Sequence, residues 1–257
     1  MTPGAPITTP WVATVSETDG PVSVRIALQL VTVPAPDQVA FWGEVLGTFF
    51  HCAAEGCFCL DPKRVAPSAA PLEVEDAEKN VALSTQVAGV DTSAWQVLVA
   101  MVLAAGRYFM PVQSFQLTVQ SAQPVPVLDG PKLIAKPYPA LRKLAFPLDD
   151  QRGGPGNPTV NRGVDVHAQS AIPSDQFDRI AALLEAWSEL ANGGYPKEDQ
   201  HPVENACDPA GAQPLGDTVA EYGIPNFLGD EAAFDALLNG LQHIHDGALP
   251  IRHVALR

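Results

Sequence analysis

The chain has 257 residues, of which 46% are hydrophobic, and this is enough apolar material to bury a sizeable core and to exclude wholesale disorder. It contains 29 acidic and 15 basic residues, which gives a net charge of −14. A field of this sign repels nucleic acid and anionic lipid, so we expect neither a nucleic-acid partner nor a membrane partner.

The first half of the chain predicts the element order β-α-β-β-α-β. Residues 22–33 alternate as a strand, and the Asp19-Gly20 turn predicts that residues 11–15 join this strand as a hairpin. Residues 37–52 place apolar side chains at helical spacing on one face. The remaining predicted elements are strands over 57–60 and 81–88, a helix over 92–108 and a strand over 112–119.

The second half predicts a similar order from residue 164 onward. We expect strands over 164–172, 219–227 and 251–256, and helices over 175–191 and 230–245. The second strand of this half is not evident in the sequence. In its place, residues 192–217 form an insertion rich in glycine, proline and acidic residues, which we expect on the surface.

An internal duplication accounts for this likeness. Asp37 aligns with Asp175, and Asp91 with Asp230, at offsets of 138 and 139 residues, and each aspartate begins a predicted helix. The apolar residues that follow also align, namely Trp42, Leu46 and Phe49 with Ile180, Leu184 and Trp187. Chance alignment of two amphipathic helices is the alternative. The sequence therefore predicts an α+β fold of two tandem ferredoxin-like (βαββαβ) repeats, with antiparallel sheets and helices packed on one face.

The charge pattern agrees with a division into three units. Residues 1–128 form the first predicted repeat with its N-terminal hairpin strand. Residues 129–163 form a basic, Gly/Pro-rich connector with a net charge of +3. Residues 164–257 form the second repeat, which includes the surface insertion at 192–217 and has a net charge of −11. The negative charge is therefore concentrated in the second repeat.

Cysteine and histidine, which are common zinc ligands, cluster at His51, Cys52, Cys57 and Cys59. Their spacing does not match a zinc knuckle and no second paired motif follows, so we expect no metal and no cofactor. We interpret the cysteines as buried small hydrophobic residues, with a Cys52–Cys57 disulfide as the alternative. The cysteine spacing and the lack of a secretory signal at the N-terminus predict a reducing, cytoplasmic setting.

A second group of histidines lies at the end of the last predicted helix. His243 and His245 are two residues apart, so they lie on different faces of the helix and are poorly placed to share a ligand. We interpret them as cations at the helix C-terminus, where a positive charge is favourable, with His253 nearby on the last strand.

The chain contains no recognisable catalytic motif, and its acidity favours a basic partner. We therefore predict a non-catalytic acidic protein-binding module, most simply an immunity or inhibitor protein that neutralises a basic partner such as a toxin. The partner-binding residues are predicted in the second repeat: Glu198, Asp199, Glu204, Asp208, Asp217, Asp230 and Glu231.

Two alternative functions are kept. A small-molecule-binding protein or enzyme would have a cleft between the two repeats, and His167 and Tyr222 are its first candidate residues. A structural subunit of a larger assembly would instead use proline-rich arms, at residues 1–10 and 122–139, to contact its neighbours.

Overall fold

The structure is a computed structural model that describes residues 11–14, 22–58, 71, 73–87, 94–95, 97–99, 101–102, 112–120, 127–128, 139–152, 162–191, 211–224, 227 and 232–257. These residues form two β-sheets and four helices, a mixed α+β architecture. None of the helices in these ranges has both the length and the hydropathy needed to cross a membrane.

The first sheet is built from the first half of the chain. Its strands are β1 (Trp11–Thr14), β2 (Val22–Leu30), β3 (Glu73–Ala77), β4 (Asn80–Val87), β5 (Val112–Gln120) and β6 (Val127–Leu128). They lie in the order β3-β4-β2-β5-β1-β6, and the pairs are antiparallel except for β1 with β5. Helix α1 spans Pro36–Ala54, and helix α2 includes the helical residues 94–95, 97–99 and 101–102.

The second sheet is built from the second half. Its strands are β7 (Leu148–Asp150), β8 (Arg162–Ala168), β9 (Ala212–Pro214), β10 (Val219–Ile224) and β11 (Ile251–Leu256). They lie in the order β7-β11-β8-β10-β9, and here only β7 and β11 are parallel. Helices α3 (Ser174–Glu189) and α4 (Ala233–Gly247) complete this half.

The two halves follow the same connectivity. The elements run β2-α1-β3-β4-α2-β5 in the first half and β8-α3-β9-β10-α4-β11 in the second. In both sheets these four strands lie in the order fourth, first, third, second. A short strand that precedes the unit, β1 or β7, pairs in parallel with its last strand. The predicted element order is therefore found in both halves. The second sheet has one additional strand, β7 at its edge, and the first sheet has two, β1 and the edge strand β6 that pairs with it.

The ends of α1 follow from its local sequence. Pro36 begins the helix at a position that needs no backbone donor, and the Gln38 side chain accepts a hydrogen bond of 2.9 Å from the backbone N–H of Ala35. At the other end, Gly56 has a φ of 83°, and the Cys57 N–H bonds to the Cys52 carbonyl at 3.0 Å. This is a Schellman ending, in which a glycine adopts the left-handed conformation that terminates a helix.

The sheets form the outer layers of the molecule and the helices lie between them. Helices α1 and α3 contact each other and run antiparallel, since Glu55 at the end of α1 pairs with Arg179 near the start of α3. Trp42 and Trp187, predicted on equivalent buried faces, are 0% and 1% exposed. One continuous hydrophobic core includes residues of both halves. The halves therefore meet through their helices, and the free faces of the sheets point outward.

The predicted hairpin between residues 11–15 and residues 22–33 is wrong. Strand β1 pairs Trp11 with Phe115 of β5 and Ala13 with Leu128 of β6, so β5 lies between β1 and β2. The Asp19-Gly20 dipeptide favours a local turn, but it does not decide which strand β1 pairs with. The two edges of β2 are instead occupied by β4 and β5, which are long apolar strands.

The predicted second strand of the first half is also misplaced. Cys57 and Phe58 are fully buried in a bend after α1, and residues 59–60 lie outside the described ranges. The second strand is β3, whose sequence EVEDA lacks apolar alternation because it is an exposed edge strand. In the second half, the corresponding strand β9 lies inside the region predicted as an insertion.

Candidate functional site

The predicted partner-binding residues lie mostly outside the described ranges. Those outside are Glu198, Asp199, Glu204, Asp208, Asp230 and Glu231. Asp217 is described, and it is exposed on the turn between β9 and β10. Its backbone carbonyl accepts a hydrogen bond of 2.8 Å from the N–H of Ile172, which joins this turn to the segment before α3. Asp217 and the acidic residues near it are therefore the part of the predicted site that can be examined.

Two cations of the second half, Arg179 and Arg257, are engaged in ion pairs. Arg179 Nη2 lies 2.7 Å from Glu55 Oε2. Arg257 Nη2 lies 2.7 Å from Asp165 Oδ1 and 2.8 Å from Glu221 Oε1. Residues 164–257 contain four basic and fifteen acidic residues, so this half cannot neutralise its own carboxylates. A surplus of negative charge is left on its surface.

A group of like charges spans the neighbouring helices α1 and α3. Burial raises the pKa of Glu189, and the charges of Glu44 and Glu185 raise it further. Ionised Glu189 therefore costs free energy of folding at neutral pH. This group is not evident in the sequence. The spacing of Glu185 and Glu189 shows that they share one face of α3, but only the antiparallel packing of the helices brings Glu44 close to them.

A polar cluster joins the two halves. Arg142 Nη2 donates to the carbonyl of Gly56 at 3.3 Å and to the carbonyl of Asn239. The buried Asn239 side chain accepts the backbone N–H of Arg142 at 2.8 Å, and the Gln242 side chain accepts that of Ala145 at 2.6 Å. These amides satisfy two backbone N–H groups of an irregular segment that lies against α4. Part of the predicted connector is therefore fixed on the second half.

The histidines at the end of α4 do not share a ligand. Burial lowers the pKa of His243, the Arg179 guanidinium lowers it further, and Glu55 opposes this effect. His245 Nδ1 accepts the backbone N–H of Ile251 at 3.0 Å. The surroundings of His243 favour a neutral imidazole at neutral pH, in contrast to the predicted helix-terminal cation. His253 lies apart from them, beside His167.

Cys52 and Cys57 are free, fully buried thiols that share a hydrogen bond. Their spacing is that of the two side chains that meet across a Schellman ending, so the contact follows from how α1 terminates. Burial raises the pKa of Cys52 well above its ordinary value, and the neighbouring Cys57 raises it further. The pair thus acts as packing, as the sequence predicts for buried cysteines. Cys59 and Cys207 lie outside the described residues.

The two residues predicted for a small-molecule site lie on opposite faces of the second sheet. His167 is on the free face, where its ring stacks on that of His253 with 3.8 Å between the ring centroids. Tyr222 is fully buried on the helix side, where its hydroxyl lies 2.7 Å from Ser188 Oγ. Burial lowers the pKa of His167, and His253 lowers it further. The structure does not bring His167 and Tyr222 together.

Among the described residues, no group of three or more histidine, cysteine, aspartate or glutamate side chains is arranged to hold a metal ion. No protein-family model matches the chain, and no curated protein matches it. The function is therefore argued from the distribution of charge and from the local geometry.

Proposed function

We propose that the protein is a non-catalytic acidic binding module, of the immunity or inhibitor kind, that neutralises a basic partner such as a toxin. The observation that carries this proposal is the carboxylate surplus of residues 164–257, which contain fifteen acidic residues and four basic ones. The raised pKa of Glu189 also supports it, because this residue and Glu185 on α3 lie close to the like charge of Glu44 on α1. A basic surface that docks here would relieve the repulsion and would be steered by the field of the protein.

We also propose that the two halves are tandem ferredoxin-like repeats that arose by duplication. The shared element order and strand order support this reading. The antiparallel contact of α1 with α3 supports it further, because a pseudo-twofold axis perpendicular to two equivalent helices makes them run in opposite directions. A cytoplasmic location fits the reduced state of Cys52 and Cys57.

The proposal is tested by capturing partners from the native source on the immobilised chain at low and high salt, with identification by mass spectrometry. We expect a basic protein that is lost as the ionic strength rises, because exposed charges are screened. Charge reversal at Glu198, Asp199 and Glu204 should weaken its capture. Reversal at Glu73 and Glu78, exposed residues of the first half, is the control. Glu75 is left intact because it pairs with Arg25 at 3.1 Å.

Two results would contradict the proposal. One is capture of no basic protein at low salt. The other is capture that is insensitive to salt and to the charge of residues 198–204.

Small-molecule binding is a second candidate, and the stacked pair of His167 and His253 favours it. Asp165 and the Arg257 that it binds lie on the same free sheet face. A site on this face would lie on the outside of the molecule and not in a cleft between the repeats. Thermal stabilisation by a small molecule that disappears in His167→Ala and in His253→Ala would favour this candidate over the first.

A further inference from the structure

A cavity of about 330 Å³ opens beside Asp217, between the start of α3 and the turn that joins β9 to β10. Ile172, Phe177 and Val219 supply apolar lining, and all three are at least half-buried. The exposed carboxylates of Asp178 and Asp217 also line the cavity. The cavity therefore combines an apolar wall with two negative charges.

The backbone around this cavity is held in place by hydrogen bonds. The N–H of Ile172 bonds to the carbonyl of Asp217 at 2.8 Å, and the N–H of Leu215 bonds to the carbonyl of Val219 at 2.9 Å. Gly216 has a φ of 70°, so the turn uses a residue that adopts this conformation without strain. Leu215 beside it is 61% exposed, which adds an apolar contact at the edge. The cavity is thus formed before any ligand arrives.

We infer that this cavity, here called the acidic socket, takes a lysine or arginine side chain of the basic partner. Such a side chain has an apolar stem and a charged head, which match the apolar wall and the carboxylates of Asp178 and Asp217. The N-terminus of α3 contributes roughly half a positive charge, which is less than the two negative charges opposite it. The inference rests on the proposed function and names the contact that the partner would make.

The first half provides an internal comparison. Asp178 is the fifth residue of α3, and the fifth residue of α1 is Ala40. Asp217 follows the positive-φ residue Gly216, and Lys79 follows the positive-φ residue Glu78 in the corresponding turn of the first half. The same fold therefore forms with alanine and lysine at these positions. The two carboxylates are therefore not needed for the turn or the helix, so they can be replaced to test the proposed contact without removing a residue that the fold requires.

Two probes test the acidic socket in the full-length chain. Nα-acetyl-lysine methylamide is titrated by NMR, and fluorescent hexalysine is titrated by anisotropy at low salt. The socket variant is Asp178→Asn with Asp217→Asn. The control variant is Glu73→Gln with Glu78→Gln, which removes the same charge from exposed positions of the first half. Thermal unfolding midpoints confirm that both variants are folded.

We expect the lysine probe to shift the amide signals of Ile172, Phe177 and Val219. We also expect the socket variant to weaken hexalysine binding at least about fivefold and the control to weaken it less than about twofold. Equal weakening by both variants would overturn the acidic socket but leave the proposed function standing as general charge attraction. Failure of the wild-type chain to bind hexalysine at low salt would overturn both. Shifts of the same amides by acetate, and not by the lysine probe, would show an anion site at the start of α3 and overturn the socket.

Discussion

Glu189 and Glu221 are glutamates of the same half with opposite surroundings. Glu221 faces Arg257 at 2.8 Å, whereas Glu189 faces the like charges of Glu44 and Glu185. The pKa of Glu189 is raised above its ordinary value of 4.5, so its penalty is absent below about pH 4.5, grows as the pH rises from there to the folded-state pKa, and is complete above it. Because the Glu189 side chain is exposed and solvent screens its repulsion, Glu189→Gln should raise the free energy of unfolding at pH 7 by at most about 0.5 kcal/mol and leave it unchanged at pH 4.

Urea denaturation at the two pH values measures this effect. The matched variant Glu221→Gln removes an exposed ion pair and should lower stability at pH 7 by at most about 1 kcal/mol. Equal effects of the two substitutions in sign and size would show that the surroundings of these glutamates do not differ in the way the structure indicates.

Trp187 and Trp42 are both buried, but only one of them has a hydrogen-bond acceptor among the described residues. Trp187 Nε1 donates to the carbonyl of Ala233 at 2.7 Å, whereas Trp42 Nε1 has no partner in the described ranges. Trp187→Phe should therefore lower the free energy of unfolding by about 1 kcal/mol more than Trp42→Phe does. Both substitutions reduce the side-chain volume, but only Trp187→Phe also removes a hydrogen bond. Chemical denaturation of the two variants checks this order, and a larger loss for Trp42→Phe would contradict it.

At the scale of elements, the close contact of α4 with the end of α1 depends on Gly240. A methyl group at Gly240 would lie 2.8 Å from Cys57 Sγ and 3.2 Å from Leu183 Cδ2. Gly240→Ala should therefore destabilise the protein by about 1–3 kcal/mol, and adding Cys57→Ala should recover part of this loss. Gly47→Ala in α1, where a methyl group meets nothing within 4 Å, should stabilise it by about 0.5–1 kcal/mol. If the losses of stability caused by Gly240→Ala and Cys57→Ala were additive in the double variant, the close contact between Gly240 and Cys57 would be contradicted.

The elements that the sequence predicts well are those whose pattern is local. The helical spacing of Trp42, Leu46 and Phe49 predicts the buried face of α1, and all three are 0% exposed. Strand β3 is not evident in the sequence because its stability comes from pairing with β4 and not from apolar alternation. The acidic socket is not evident either, since Asp178 and Asp217 are far apart in the chain and meet only through the pairing of β8 with β10.

At the scale of the whole molecule, the described residues of the two halves share one core and are joined by a largely buried ion pair. Glu55 is 6% exposed and binds Arg179 of the other half. Glu55→Gln leaves the Arg179 charge without its partner and should lower the free energy of unfolding by about 2–4 kcal/mol. The substituted protein should still unfold in a single transition, at a lower denaturant concentration. Circular dichroism and tryptophan fluorescence should follow the same unfolding curve. Two separate transitions, of which only one moves, would show that the halves fold independently.

In the proposed function, a basic partner binds the acidic second half. Hydrogen exchange measured by mass spectrometry, on the chain alone and with the basic protein that it captures, tests this claim most directly. We predict slower exchange on binding in the segment before α3 and in the β9–β10 turn, around Ile172 and Asp217, with no change in the free face of the first sheet. Protection confined to residues 22–30 and 73–87 of the first sheet would contradict the claim.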